Sequence, residues 1–153
     1  MIRGTYPPLP LFFRIRVKDK NMNSNTKGNI ALGQAIAYFT QNGYIISIPL
    51  NNSQWYDLII EKDNIFQTVQ VKYTGETNKT GENYKCTLKS TSGTSRQKIY
   101  SVPETPVDLL FCYCSNGEKY LIPVSLITNN NSITLSKVAI RSTFDTSKFY
   151  IAD

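Results

Sequence analysis

The chain has 153 residues, with 17 Lys+Arg against 11 Asp+Glu for a formal net charge of +6, 41% hydrophobic residues and no histidine. That length suits one domain with a real core, and the cation excess points to polyanionic partners. The missing histidine excludes Ser-His-Asp and Cys-His catalysis, so hydrolysis is expected to use carboxylates, lysine and a metal ion.

The chain starts with a segment, Met1 to Lys20, that holds Pro7, Pro8 and Pro10, then Leu11-Phe12-Phe13, then Arg14, Arg16, Lys18 and Lys20. Its charges follow the apolar run instead of preceding it, and no small-residue cleavage site closes it, so it does not read as a signal peptide. Residues 1–25 are expected to be an N-terminal extension, with Met22 as an alternative start and a basic arm on phosphates as the sharper option. Residues 26–153 are expected to form one domain. No apolar stretch approaches the roughly 18 residues that would span a bilayer. The expectation is a soluble intracellular protein, in cytoplasm, nucleoid or an organelle, neither secreted nor membrane-bound.

From Thr26 to Gln41, Ile30, Ala31, Ala35, Tyr38 and Phe39 recur at helical spacing, and Asn42-Gly43 supplies a left-handed stop. A strand is predicted from Tyr44 through Ile45, Ile46 and Ile48, and a second over Tyr56-Asp57-Leu58-Ile59-Ile60 with an acid at its head. Asp63-Asn64 turns the chain into Ile65 to Tyr73, a long hairpin partner whose Gln70 and Lys72 lie two residues apart on one face. Gly75 to Asn83 reads as a surface loop, a lid or DNA-facing flap, followed by a strand around Tyr84 to Lys89. The Ser/Thr/Gly-rich stretch Ser90 to Ser95 and the basic Arg96-Gln97-Lys98 follow. Val107 to Cys114 and Lys119 to Pro123 are apolar strands joined by a turn carrying Asn116-Gly117. The tail alternates through Ile133 to Ile140. The three cysteines, Cys86, Cys112 and Cys114, form neither a disulfide framework nor a zinc-ligand spacing and are expected to be reduced, buried thiols.

The chemistry is predicted where a strand opening with Asp57 pairs with one presenting Gln70-Val71-Lys72. An aspartate and an amide on neighbouring strands, with a lysine beside them, can converge on one metal-sized volume. Phosphodiester cleavage needs a Lewis acid for the charge building on phosphorus oxygens and a way to activate water. Asp57 and Gln70 would be ligands for Mg²⁺ (or Mn²⁺), and Lys72 would orient water or stabilise the pentavalent charge. Lys79, Lys85, Lys89, Arg96, Lys98, Arg141 and Lys148 are the candidate phosphate contacts.

Several segments in this order resemble the PD-(D/E)xK nuclease superfamily, specifically its small group I intron-encoded homing endonucleases. They are Lys27-Gly28, Gly43 to Pro49, Tyr56 to Ile60, Val69-Gln70-Val71-Lys72, Val107 to Phe111 and Lys119 to Val124, together covering roughly Thr26 to Ser125. The resemblance implies an α/β, restriction-endonuclease-like core, a mixed central sheet flanked by helices. It implies metal-dependent double-strand cleavage of a long specific site in double-stranded DNA, by a homodimer or homotetramer. The family's metal aspartate falls on Asp57 and its lysine on Lys72. Its usual Asp/Glu is replaced by Gln70, as in the intron-encoded branch. The family commonly carries a glutamate on the first helix, aligned here with Gln34, so a carboxylate is missing and the chain could bind DNA while cutting poorly. A catalytically impaired DNA-binding protein on this fold and a junction resolvase or restriction-type nuclease are the alternatives left open.

Overall fold

The structure is a computed structural model that describes residues 22–51, 53–92, 98–140 and 144–152. Its α-helix, α1, spans Ser24–Gln41. Asn23 caps it, its Oδ1 accepting from the Thr26 N–H at 2.8 Å, so the helix begins two residues ahead of the predicted start. At the other end Gly43 takes φ +77°, and the Gly43 and Tyr44 amides donate back to the carbonyls of Thr40 and Phe39. Lys62 Nζ donates to the Asn42 carbonyl at 2.9 Å, placing a cation at the negative end of the helix.

Among the described residues ten strands follow: β1 (Ile45–Ser47), β2 (Leu58–Lys62), β3 (Ile65–Thr74), β4 (Tyr84–Thr87), β5 (Lys89–Ser92), β6 (Lys98–Ser101), β7 (Leu109–Cys114), β8 (Lys119–Pro123), β9 (Ser132–Leu135) and β10 (Tyr150–Ile151). Six form the central sheet in the order β1-β2-β3-β7-β8-β10. The β3–β7 pair is parallel and the other pairs are antiparallel, giving the predicted mixed sheet. Asp63 and Asn64, both with positive φ (53° and 59°), make the tight β2–β3 turn, and Gly117 at φ 94° closes β7–β8.

The two faces of the sheet are covered differently. On one, Ala35 and Phe39 of α1 pack on Leu58, Ile60, Val69 and Phe111. On the other, Leu110 and Cys112 of β7 and Tyr120 and Ile122 of β8 pack with Cys86 of β4 and Leu135 of β9. Among the described residues α1 is the α-helix, and two-stranded ribbons, β4–β9 and β5–β6, stand beside the sheet. The β5–β6 ribbon takes in the Ser90 end of the Ser/Thr/Gly-rich stretch, for which no element is predicted. Its Ser-Thr-Ser run lacks the apolar alternation by which a strand is recognised, and pairing alone defines it.

The three cysteines are free and buried, as predicted, with Cys112 Sγ 3.4 Å from Cys86 Sγ. Among the described residues no helix is long and apolar enough to cross a membrane.

Candidate active site

Asp57 stands one step ahead of β2. Its amide donates to the Val69 carbonyl at 2.9 Å, which prolongs the β2–β3 ladder and sets Asp57 against Gln70, one step beyond the Leu58–Val69 pair. The carboxylate is thereby aimed across the strands: Oδ2 accepts from the Val71 N–H at 2.7 Å and from Gln70 Nε2 at 2.8 Å. Alternation along β3 does the rest. Val69 and Val71 face α1, while Thr74, on the face of Gln70 and Lys72, bonds through Oγ1 to the Lys85 carbonyl of β4 at 2.7 Å.

Lys72 reaches toward the β5–β6 ribbon, where Nζ donates to the Lys89 carbonyl at 3.2 Å and to Ser90 Oγ. Desolvation pushes the Asp57 carboxyl above its ordinary range, with the Val71 N–H and the nearby Lys72 pulling it partly back. Desolvation likewise lowers the Lys72 ammonium, opposed by Cys86, Asp57 and Cys112. Burial therefore disfavours both charges, and each helps to keep the other ionised. The three predicted residues Asp57, Gln70 and Lys72 come together on this side of the sheet.

Gln34 is not among the residues lining the groove beside Asp57. That groove, of about 620 Å³, is lined from the helix by Ser24, Asn25, Gly28, Asn29 and Leu32. These lie at positions four apart, one continuous face, and Gln34 is about 200° further round the axis than Leu32. Leu32 is thus the apolar helix residue of the groove that Asp57 borders. Among the described residues no group of three or more His, Cys, Asp or Glu side chains gathers around a common point.

The candidate phosphate contacts divide. An open groove of about 480 Å³ runs past Lys72 and is lined by Lys27, Thr74, Glu76, Lys85 and Lys89. Lys85 and Lys89 were predicted. Lys27 was noted only for opening the helix, and the cue to it is that the first helical turn lies beside the end of β3. Lys79 is exposed in the loop after β3 and Lys148 in the turn before β10, neither lining this groove. Arg96 and Arg141 lie outside the described residues, as does the Lys98 side chain and the N-terminal segment. Two aromatics not predicted from the sequence stand nearby: Trp55 and Tyr100 meet edge to face at 4.6 Å, and Tyr100 is the register partner of Ser90.

The residues present suit a hard cation only in part. Asp57 offers a carboxylate whose Oδ1 takes no hydrogen bond among the described residues, and Gln70 offers an amide oxygen. A magnesium-type ion would complete its shell with water and phosphate oxygens.

The family described as PD-(D/E)XK endonuclease matches residues 22–150 of the chain. A solved structure titled as a bacterial homing endonuclease, I-Ssp6803I, superposes with a TM-score of 0.70 at 25% identity, covering 84% of this chain and 89% of that one. Comparison with curated proteins gives no match.

Proposed function

Because the chain belongs to the PD-(D/E)XK endonuclease family, we propose that it is a metal-dependent DNA endonuclease centred on Asp57, Gln70 and Lys72. The observation that carries this reading is the 2.8 Å bond from Gln70 Nε2 to Asp57 Oδ2, with Lys72 two residues further along the same strand face. Asp57 and Gln70 would hold Mg²⁺ or Mn²⁺, which when bound supplies Lewis-acid charge neutralisation at the phosphate. Lys72 contributes what the cation does not. An ammonium has three donors; two are directed at Ser90 and the Lys89 carbonyl, and the third is left for a phosphate oxygen or the attacking water. The lysines of the neighbouring groove grip the flanking backbone and carry no sequence information by themselves.

Similarity to a homing endonuclease supports double-strand cutting at a long specific site in double-stranded DNA, of the group I intron type. One centre cuts one strand, so a double-strand break calls for a homodimer or homotetramer. The test is cleavage of supercoiled plasmid and of a pooled library of random duplexes with Mg²⁺ and Mn²⁺, comparing the parent with Asp57→Asn and Lys72→Ala. Cleavage by the parent alone supports the reading, and equal cleavage by all three proteins sinks it.

A second reading, a DNA-binding protein that retains the fold and cuts poorly, is favoured by Leu32. An apolar side chain lines the groove beside Asp57, where another carboxylate would strengthen cation binding. Salt-sensitive, metal-independent DNA binding without cleavage under either metal would select it.

A further inference from the structure

A lysine side chain carries about 2 kcal/mol of rotamer entropy, so a catalytic ammonium acts well only when something holds it. Lys72 Nζ donates to Ser90 Oγ and to the Lys89 carbonyl on β5. An ammonium can only donate, so Ser90 Oγ must accept, and the Ser90 proton needs a different acceptor. The β5–β6 register sets Ser90 directly opposite Tyr100, close enough for its hydroxyl to favour the Tyr100 phenolate, which makes Tyr100 the nearby acceptor for that proton. Tyr100 is in turn packed edge to face on Trp55, ring centroids 4.6 Å apart, two residues ahead of Asp57. The chain of contacts Lys72, Ser90, Tyr100, Trp55 thus returns to the segment that carries the carboxylate.

We propose that Ser90 is the positioning residue of Lys72: its hydroxyl accepts from Nζ while donating to Tyr100, which fixes the direction of the remaining N–H toward the Asp57–Gln70 centre. This rests on the reading of Lys72 as the catalytic cation. Ser90 touches neither DNA nor cation in this role. The tether also couples the orientation of Lys72 to the docking of β5 and β6.

Two measurements on the full chain test it, using Ser90→Ala, Ser90→Thr and Tyr100→Phe. In ¹⁵N-lysine NMR, the Lys72 Nζ resonance, assigned by its loss in Lys72→Arg, is expected to be resolved in the parent. Ser90→Ala should broaden it away, Tyr100→Phe should weaken it, and Ser90→Thr should restore it. In single-turnover cleavage, Ser90→Ala should slow the chemical step by about ten- to a hundredfold, with DNA affinity unchanged and the rate recovered in Ser90→Thr. An unaltered Lys72 resonance in Ser90→Ala overturns the proposal, as does a rate loss that Thr fails to rescue. If the parent cuts no DNA with either metal, the nuclease reading fails, and the resonance alone still decides whether Ser90 holds Lys72.

Discussion

Leu32 on α1 and Asp57 ahead of β2 border the same groove, whereas Gln34, two positions along the helix, does not. The side of a helix that meets a site is set by its packing, and here burial of the line Ala31, Ala35, Phe39 leaves Leu32 on the groove that Asp57 borders.

A carboxylate placed at Leu32 should therefore strengthen cation binding, and one placed at Gln34 should not. Leu32→Glu is expected to raise Mn²⁺ affinity by about tenfold, since affinity follows ligand charge count, with a gain in cleavage. Without metal it should lower stability, because Leu32 also packs on the α1 cluster and the new charge sits near Asp57. Gln34→Glu should leave affinity and stability close to the parent's. Calorimetric titration with Mn²⁺ and melts with and without the ion check both.

The Asp57 carboxyl is raised chiefly by burial. A carboxyl that holds its proton more tightly folded than unfolded contributes stability that is fully present below its unfolded value, about pH 4, and lost as pH rises through the folded value. At neutral pH the ionised Asp57 is thus a cost. Asp57→Asn, which keeps an oxygen for the Val71 N–H, should raise the melting temperature at pH 7 and lose that advantage below about pH 4. Thermal melts across this range would show it, with cleavage abolished throughout.

Lys27, Lys85 and Lys89 share one groove, so alanine at each should weaken binding of all duplexes similarly. Each should also reduce the slope of log K against log salt by about 0.9. Lys148→Ala should leave the slope unchanged. Fluorescence anisotropy over a salt series distinguishes them.

Phe39 is fully buried and meets Phe111 and Tyr44 at centroid distances of 6.0 and 5.4 Å. Phe39→Ala should cost about 3–5 kcal/mol, read from urea unfolding, and should loosen α1 from the sheet.

What could be read along the chain was set by local chemistry. The Asn-Gly and Asp-Asn turns, the Ala31–Ala35–Phe39 stripe and the apolar runs of β7 and β8 specify their own elements, because backbone dihedral preference and hydrophobic period act within a few residues. Asp57, Gln70 and Lys72 were legible for the same reason: a tight hairpin and a period of two leave little choice of register.

The sequence by itself therefore determined the helix, the β2–β3 hairpin and the meeting of Asp57 with Gln70. Only the tertiary structure decided that Leu32 shares a groove with Asp57, that Lys27 joins Lys85 and Lys89, and that a polar ribbon brings Ser90 to Lys72. Those relationships join residues distant in sequence, and they follow from how helix, sheet and ribbon pack, which no local preference encodes.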